Sequence, residues 1–189
     1  MKTVSAGRHI LFWVIALGGL AADLISKQVI FGQLGAPGGS SEWFLDGWLK
    51  VRFYTSFNEG ALWGIGQGYA WLFAIMSLFA FAGVLYWLFL RGGAQSLWLT
   101  ITLAMITAGT LGNFYDRLGI HGHEKPNGEP YLAVRDFFHF VFGDYNYPIF
   151  NIADILLVCG AIMLVIQSFL AEDEKTVVST PPTEQAAAQ

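Results

Sequence analysis

VRDFFHFVFGDYNYPIFNIAD, residues 134–154, sets one carboxylate at each end of an aromatic run and then opens an apolar segment that ends near Leu170. Asp136 stands just before Phe137 and Phe138, and Asp154 closes the series Asn151-Ile152-Ala153-Asp154. Pro148 suits a first helical turn, where its missing N–H is harmless and its fixed φ fits. A helix starting there carries Asp154 roughly 9 Å inside it, at about 1.5 Å per residue. Asn151 and Asp154, three apart, share a face of such a helix. An ionisable group inside an apolar helix is costly and by default marks a functional site. Two carboxylates near one membrane surface suggest an aspartic-type pair, provided the fold brings Asp136 onto Asp154. The residues alone leave other readings open. Asp154 can cap or bond a neighbouring helix, Asp136 can be an ordinary loop acid, and intramembrane polar groups also serve packing and transport.

The composition around this stretch sets the class. The 189 residues are 54% hydrophobic and 16% aromatic, with only 13% charged, and the mean hydropathy is +0.50. That describes a small polytopic membrane protein rather than a soluble domain. A formal charge of −4 gives no basic footprint for nucleic acid. The single cysteine, Cys159, excludes an intrachain disulfide and reads as small apolar packing.

Four apolar spans are expected, at about 10–31, 69–90, 97–115 and 149–170, forming a membrane domain over 1–171 with a disordered acidic and polar tail over 172–189. The first span competes with a signal-peptide reading, but its apolar run resumes after Ala21-Ala22, so it reads as a retained helix. It carries Asp23 and Lys27, four apart in the favourable acid-then-base order. An intrahelical pair with Lys27 snorkelling competes there with a site role. The third span ends in Gly109-Thr110-Leu111-Gly112-Asn113-Phe114-Tyr115-Asp116-Arg117, where small residues permit close helix contact and Asn113 and Asp116 share a face. An Asp116–Arg117 pair tying down the helix end is the plain alternative. Between the first two spans, residues 49–54 alternate like a short strand. Asn58-Glu59-Gly60-Ala61 then leads into a Gly-rich loop that needs no chemistry. In the second connection, His121-Gly122-His123-Glu124 invites a metal, yet a solvated loop accounts for it and no further ligand motif follows. Four spans put both termini on one side. The basic start, with Lys2 and Arg8, favours the cytoplasm, so both long connections lie outside.

At this point the separated blocks resemble bacterial lipoprotein signal peptidase (signal peptidase II), a four-helix inner-membrane aspartic protease. The matching residues are Asp23 with Lys27, Asn58-Glu59-Gly60-Ala61, Gly112-Asn113-Phe114-Tyr115-Asp116-Arg117, Val134-Arg135-Asp136-Phe137 and Phe150-Asn151-Ile152-Ala153-Asp154. They span nearly the whole chain except the tail. The resemblance implies an all-α polytopic fold, four transmembrane helices with a small extracytoplasmic β-containing connection. It places the catalytic pair on Asp136 and Asp154, with Asp23, Lys27, Asn58, Gly60, Asn113, Asp116, Arg117 and Asn151 lining or bracing the site. It implies no metal and no cofactor, a diacylglyceryl-modified prolipoprotein as substrate cut just before the lipidated cysteine, membrane lipids as surroundings and the cyclic peptide globomycin as inhibitor. The chain departs from the family in two places. Residues 118–135 are longer by roughly ten residues, an excursion of the kind loops tolerate, and Arg135 replaces a more usual apolar residue before Asp136.

Two close carboxylates that share a proton can act as base on water and acid toward the leaving amine. A small transporter using Asp23, Lys27 and Asp154 as a polar path predicts charges near the bilayer midplane, whereas these cluster toward one surface. A non-catalytic membrane subunit predicts that Asp136→Asn and Asp154→Asn are mild.

Overall fold

The computed structural model describes residues 4–60 and 69–179. Its helices are α1 (Ala6–Leu34), α2 (Ala70–Leu85, continued by a π-helical turn over Tyr86–Leu90), α3 (Leu97–Arg117) and α4 (Ile152–Ser179). Among the described residues, 4 helices are long and apolar enough to cross a membrane. Their outer faces carry large apolar side chains, among them Ile10 and Ile25 on α1, Phe79 on α2 at 73% exposure and Phe169 on α4 at 65%. An apolar surface of that extent is untenable in water. Against lipid tails, which are as apolar as leucine, it is the expected exterior.

The inner helix is α3, which packs on the other three. Ser96 starts it by accepting a hydrogen bond from the Leu99 N–H at 3.3 Å, an N-cap that satisfies one of the otherwise unpaired first-turn donors. Its contact face is small: Ala104, Ala108, Gly109 and Gly112 are buried along it. A methyl group at Gly109 would collide with the Ala153 carbonyl oxygen, and one at Gly112 with the Asp23 carboxylate. These glycines therefore set how closely α1 and α4 approach α3, as the small-residue pattern predicts.

The two long connections meet in one antiparallel sheet, ordered β1 (Leu45–Asp46), β2 (Leu49–Asn58), β3 (Val134–Phe142) and β4 (Tyr145–Asn146). Strand β2 extends beyond the expected 49–54 and pairs with β3 from Leu49↔Phe142 to Asn58↔Val134. The register slips between Phe53 and Ser56, a bulge that bends β2. There Thr55 Oγ1 donates to the Gly35 carbonyl at 2.7 Å and accepts from the Gly39 N–H at 2.9 Å. The bend is thus tied to the end of α1. Ile30, Phe31 and Phe137 form the buried apolar contact between helix and sheet, with Phe53, Phe57 and Ile152 around it.

Helix α4 begins at Ile152, later than the expected start near Pro148. Strand pairing overrides the proline signal. Phe138 and Phe150 exchange backbone hydrogen bonds at 2.8 and 3.2 Å, and the Tyr147 N–H donates to the Phe140 carbonyl at 3.0 Å. The chain is therefore held on β3 until Asn151, and Asp154 lies in the first turn of the helix rather than two turns inside it. At its other end α4 continues to Ser179, past the 172 boundary expected for a disordered tail, in keeping with the helix-forming Ala171, Glu172, Glu174 and Lys175. The Gly-rich loop over 61–68 lies outside the described residues.

Candidate active site

The ends of α1 and α3, the start of α4 and the paired ends of β2 and β3 converge on one cluster of polar side chains. Asn151 and Asp154 form a reciprocal cap. The Asp154 N–H donates to Asn151 Oδ1 at 3.0 Å, and the Asn151 N–H donates to Asp154 Oδ2 at 3.1 Å. This is the capping box with an Asn-x-x-Asp sequence, and it fixes the Asp154 rotamer. The other Asp154 oxygen accepts from Asn113 Nδ2 at 2.8 Å.

Asp136 lies on β3, 2% exposed, and accepts from Asn151 Nδ2 at 2.6 Å and from Asn58 Nδ2 at 3.1 Å. Asn151 thereby bonds both carboxylates of the expected pair, Asp136 through its side-chain amide and Asp154 through its backbone N–H. Burial pushes the Asp136 carboxyl well above the usual carboxylate range, and the neighbouring Asp154 charge pushes it further. The two amide donors oppose that rise without cancelling it.

Behind this pair runs a buried ion network. Lys27, fully buried, places Nζ 2.7 Å from Asp23 Oδ2, 3.0 Å from Asp116 Oδ2 and 3.1 Å from Asn113 Oδ1. All three ammonium donors are used. Asp23 Oδ1 in turn accepts from the Ala153 N–H at 2.9 Å, so a carboxylate of α1 caps the N-terminus of α4, where negative charge is favoured. Asp116 binds Arg135 through Nε at 2.9 Å, Nη2 at 2.8 Å and the backbone N–H at 3.0 Å. Two acids and two bases thus neutralise one another inside the protein, the condition for burying charge at all.

Arg117 follows a different course from the Asp116–Arg117 pair that the sequence offers as the plain alternative. Consecutive helix residues point to different faces, so Asp116 turns inward to Lys27 and Arg135. Arg117 instead donates from Nη2 to the Gly60 carbonyl at 3.1 Å and stacks its guanidinium over Phe73. Gly60 N–H donates to Asn58 Oδ1 at 3.0 Å, which orients the Asn58 amide toward Asp136. All ten residues expected at the site belong to this connected set. Arg135, seen in the sequence only as a departure from a family pattern, belongs to it too. Its partner Asp116 is 19 residues away, and the hint available was an unmatched pair of acids, Asp23 and Asp116, against one lysine.

Asp154, Asn58, Asn113 and Arg117 line a cavity of about 280 Å³ whose remaining wall includes Ile149, Phe150, Ile155, Val158 and Cys159. It joins a polar floor to an apolar wall, the lining of a binding site in which a few placed polar groups fix orientation. Cys159, expected as packing, is part of that wall. His121 and His123 lie outside the cavity among Phe57, Phe31 and Tyr131. Burial lowers the pKa of both imidazoles. No group of three or more metal-binding side chains is found among the described residues.

The sequence profile of the family described as "Signal peptidase (SPase) II" matches residues 15–170. A lipoprotein signal peptidase of Rhodopirellula baltica is 43% identical over 166 residues, covering 87% of this chain and 74% of that one. That of Bacillus pumilus is 37% identical over 169 residues, covering 89% and 98%. A solved structure described as a bacterial membrane enzyme superposes with a TM-score of 0.71 at 28% identity, covering 95% of this chain and 97% of the other.

Proposed function

The chain belongs to the signal peptidase II family, and on that premise we propose that it frees diacylglyceryl-modified prolipoproteins of their signal peptides with Asp136 and Asp154 as a water-activating pair. The family makes it a peptidase and a multi-pass bacterial membrane protein with prolipoprotein substrates. The observation that carries the finer reading is the Asn151 bridge, whose side-chain amide donates to Asp136 while its backbone N–H donates to Asp154.

In this reading the buried Asp136 carries the proton in the free enzyme, and Asp154, facing the cavity, takes the proton of a water. The water oxygen bonds to the carbonyl carbon of the residue before the lipidated cysteine, as Asp136 protonates the carbonyl oxygen. The proton held by Asp154 then passes to the cysteine amine as the C–N bond breaks, and one hydroxyl of the gem-diol returns its proton to Asp136, leaving a carboxylic acid on the signal peptide and the pair reset. The pair titrates as a unit over this cycle. Asn58, Asn113 and Asn151 hold the carboxylates. Asp23, Lys27, Asp116 and Arg135 hold the helices that carry them, and Arg117 holds the Gly60 turn. The apolar wall receives the signal peptide, and a cyclic peptide inhibitor such as globomycin competes for the same cavity. With both termini cytoplasmic, the sheet and the site lie at the outer face of the inner membrane, level with the diacylglycerol of the substrate.

The test is cleavage by purified protein in detergent, with the products read by mass spectrometry. The expected products are the intact signal peptide and a chain beginning at the lipidated cysteine, formed from the lipidated substrate and not from its unlipidated counterpart, with or without chelator. Equal cutting of both substrates, or loss of cutting in chelator, refutes the reading.

A further inference from the structure

Residues 118–133, the long excursion after α3, fold back on the site as a small clasp. Glu124 and Pro130 form a bridge, the Tyr131 N–H donates to the His123 carbonyl at 3.0 Å and the Lys125 N–H to the Glu129 carbonyl at 2.7 Å. Gly128, at φ 81°, closes the turn between them in the left-handed region glycine enters without strain.

The clasp grips two residues of one strand end. Tyr131 stacks on Phe57 with ring centroids 4.0 Å apart and planes 12° apart. His121 and His123 approach the same ring at 5.8 and 5.5 Å. Lys125 Nζ lies 2.9 Å from Glu59 Oε1 and 5.7 Å from the Tyr131 ring centre. Between the gripped residues stands Asn58. Side chains alternate along an extended strand, so with Phe57 and Glu59 turned to the clasp, Asn58 turns the opposite way, to Asp136 Oδ2 at 3.1 Å.

We infer that this inserted clasp, with Tyr131 as its centre and Lys125 as its outer tie, is a positioning element that holds Asn58, oriented by the Gly60 N–H, against the Asp136 carboxylate. It sets the rate of the chemical step without touching the substrate. The inference rests on the reading of Asp136 and Asp154 as the water-activating pair. A loosened clasp lets the Asn58 amide leave Asp136, and the carboxylate loses a donor that favours its ionised form.

The experiment measures kcat, KM and the pH profile of wild type, Tyr131→Ala, Tyr131→Phe, Lys125→Glu and the exchange Lys125→Glu with Glu59→Lys, on a diacylglyceryl-modified prolipoprotein. Tyr131→Ala lowers kcat by about two- to tenfold, the range an aromatic pair supports, and changes KM less. It also moves the pH limb set by Asp136 upward. Tyr131→Phe keeps the stack and the wild-type values. Lys125→Glu lowers kcat, and the exchange restores it. Wild-type kcat and pH profile in Tyr131→Ala overturn the inference, as does a Tyr131→Phe defect as large as that of alanine. If Tyr131→Ala does not fold, the charge exchange decides: no recovery on swapping the two charges overturns it. Turnover by wild type in the same assay separates failure of this inference from failure of the peptidase reading.

Discussion

Replacing Lys27 by methionine removes the ammonium group that touches both Asp23 and Asp116. The two carboxylates are not left alike. Asp116 keeps the Arg135 guanidinium at 2.8 and 2.9 Å and the Arg135 N–H. Among the described residues, Asp23 keeps only the Ala153 N–H at 2.9 Å as a bond from another element. The uncompensated buried charge is therefore that of Asp23. Breaking a buried pair from one side costs about 3–5 kcal/mol, which for a chain of this size is a fall in Tm of roughly 6–20 °C. Removing the second charge should give much of that back. Asp23→Asn leaves an acceptor for the Ala153 N–H but no charge, so the double variant recovers at least half the loss. It does not recover activity, because Asn113 has lost the ammonium that accompanies Asn151 in holding its oxygen, and its amide aims at Asp154. The assay is thermal unfolding of the detergent-solubilised protein, with single-turnover cleavage alongside. A Lys27→Met cost below about 1 kcal/mol, the range of exposed pairs, or a double variant no more stable than the single one, refutes this account of the network.

Asp136→Asn is expected to be more heat-stable than wild type at neutral pH. The folded pKa of Asp136 is raised above an unfolded value of about 3.9, so the folded state binds the extra proton and wild-type stability falls as pH rises through the interval between the two values; unfolding followed across that interval should show the slope in wild type and its loss in the variant. Gly112→Ala drives a methyl group into the Asp23 carboxylate and within 3.3 Å of Ala153 Cβ. Overpacking of this kind costs about 1–3 kcal/mol, and cleavage should fall with it, while Gly18→Ala, which meets nothing within 4 Å, should be neutral or stabilising in the same measurements. Arg135→Met removes two charge-assisted contacts to the buried Asp116 and should cost about 3–5 kcal/mol, the range for breaking a buried pair from one side; Arg135→Lys, without the fork, should restore only part of it in a denaturation series.

The spans were legible because a bilayer demands long apolar runs, and the runs at 69–90 and 97–115 stand out from any neighbour. The polar cluster was legible as types and order, since buried carboxylates and asparagines in apolar surroundings have few other uses. Depth was not. Pro148 carries a true helix-start signal, and only the pairing of Phe150 with Phe138, a long-range event, cancels it. The better signal was Asn151-Ile152-Ala153-Asp154 itself, whose spacing is that of a capping box. The sequence offers Arg117 its neighbour Asp116 as the plain alternative partner, although adjacent helix residues diverge; its contact with Gly60 depends on where β2 ends. The histidines of the excursion suggested a metal from spacing alone, and it is Phe57, on a distant strand, that gives them an aromatic setting.

The central claim is that Asp136 and Asp154 together activate water. Single-turnover cleavage of a diacylglyceryl-modified prolipoprotein by wild type, Asp136→Asn and Asp154→Asn tests it most directly, with folding of each variant checked by its unfolding transition. The account predicts that each substitution alone lowers the rate by about a hundredfold or more, and that combining them adds little, because the pair acts as one unit. A folded Asp136→Asn or Asp154→Asn protein that cuts at the wild-type rate contradicts it.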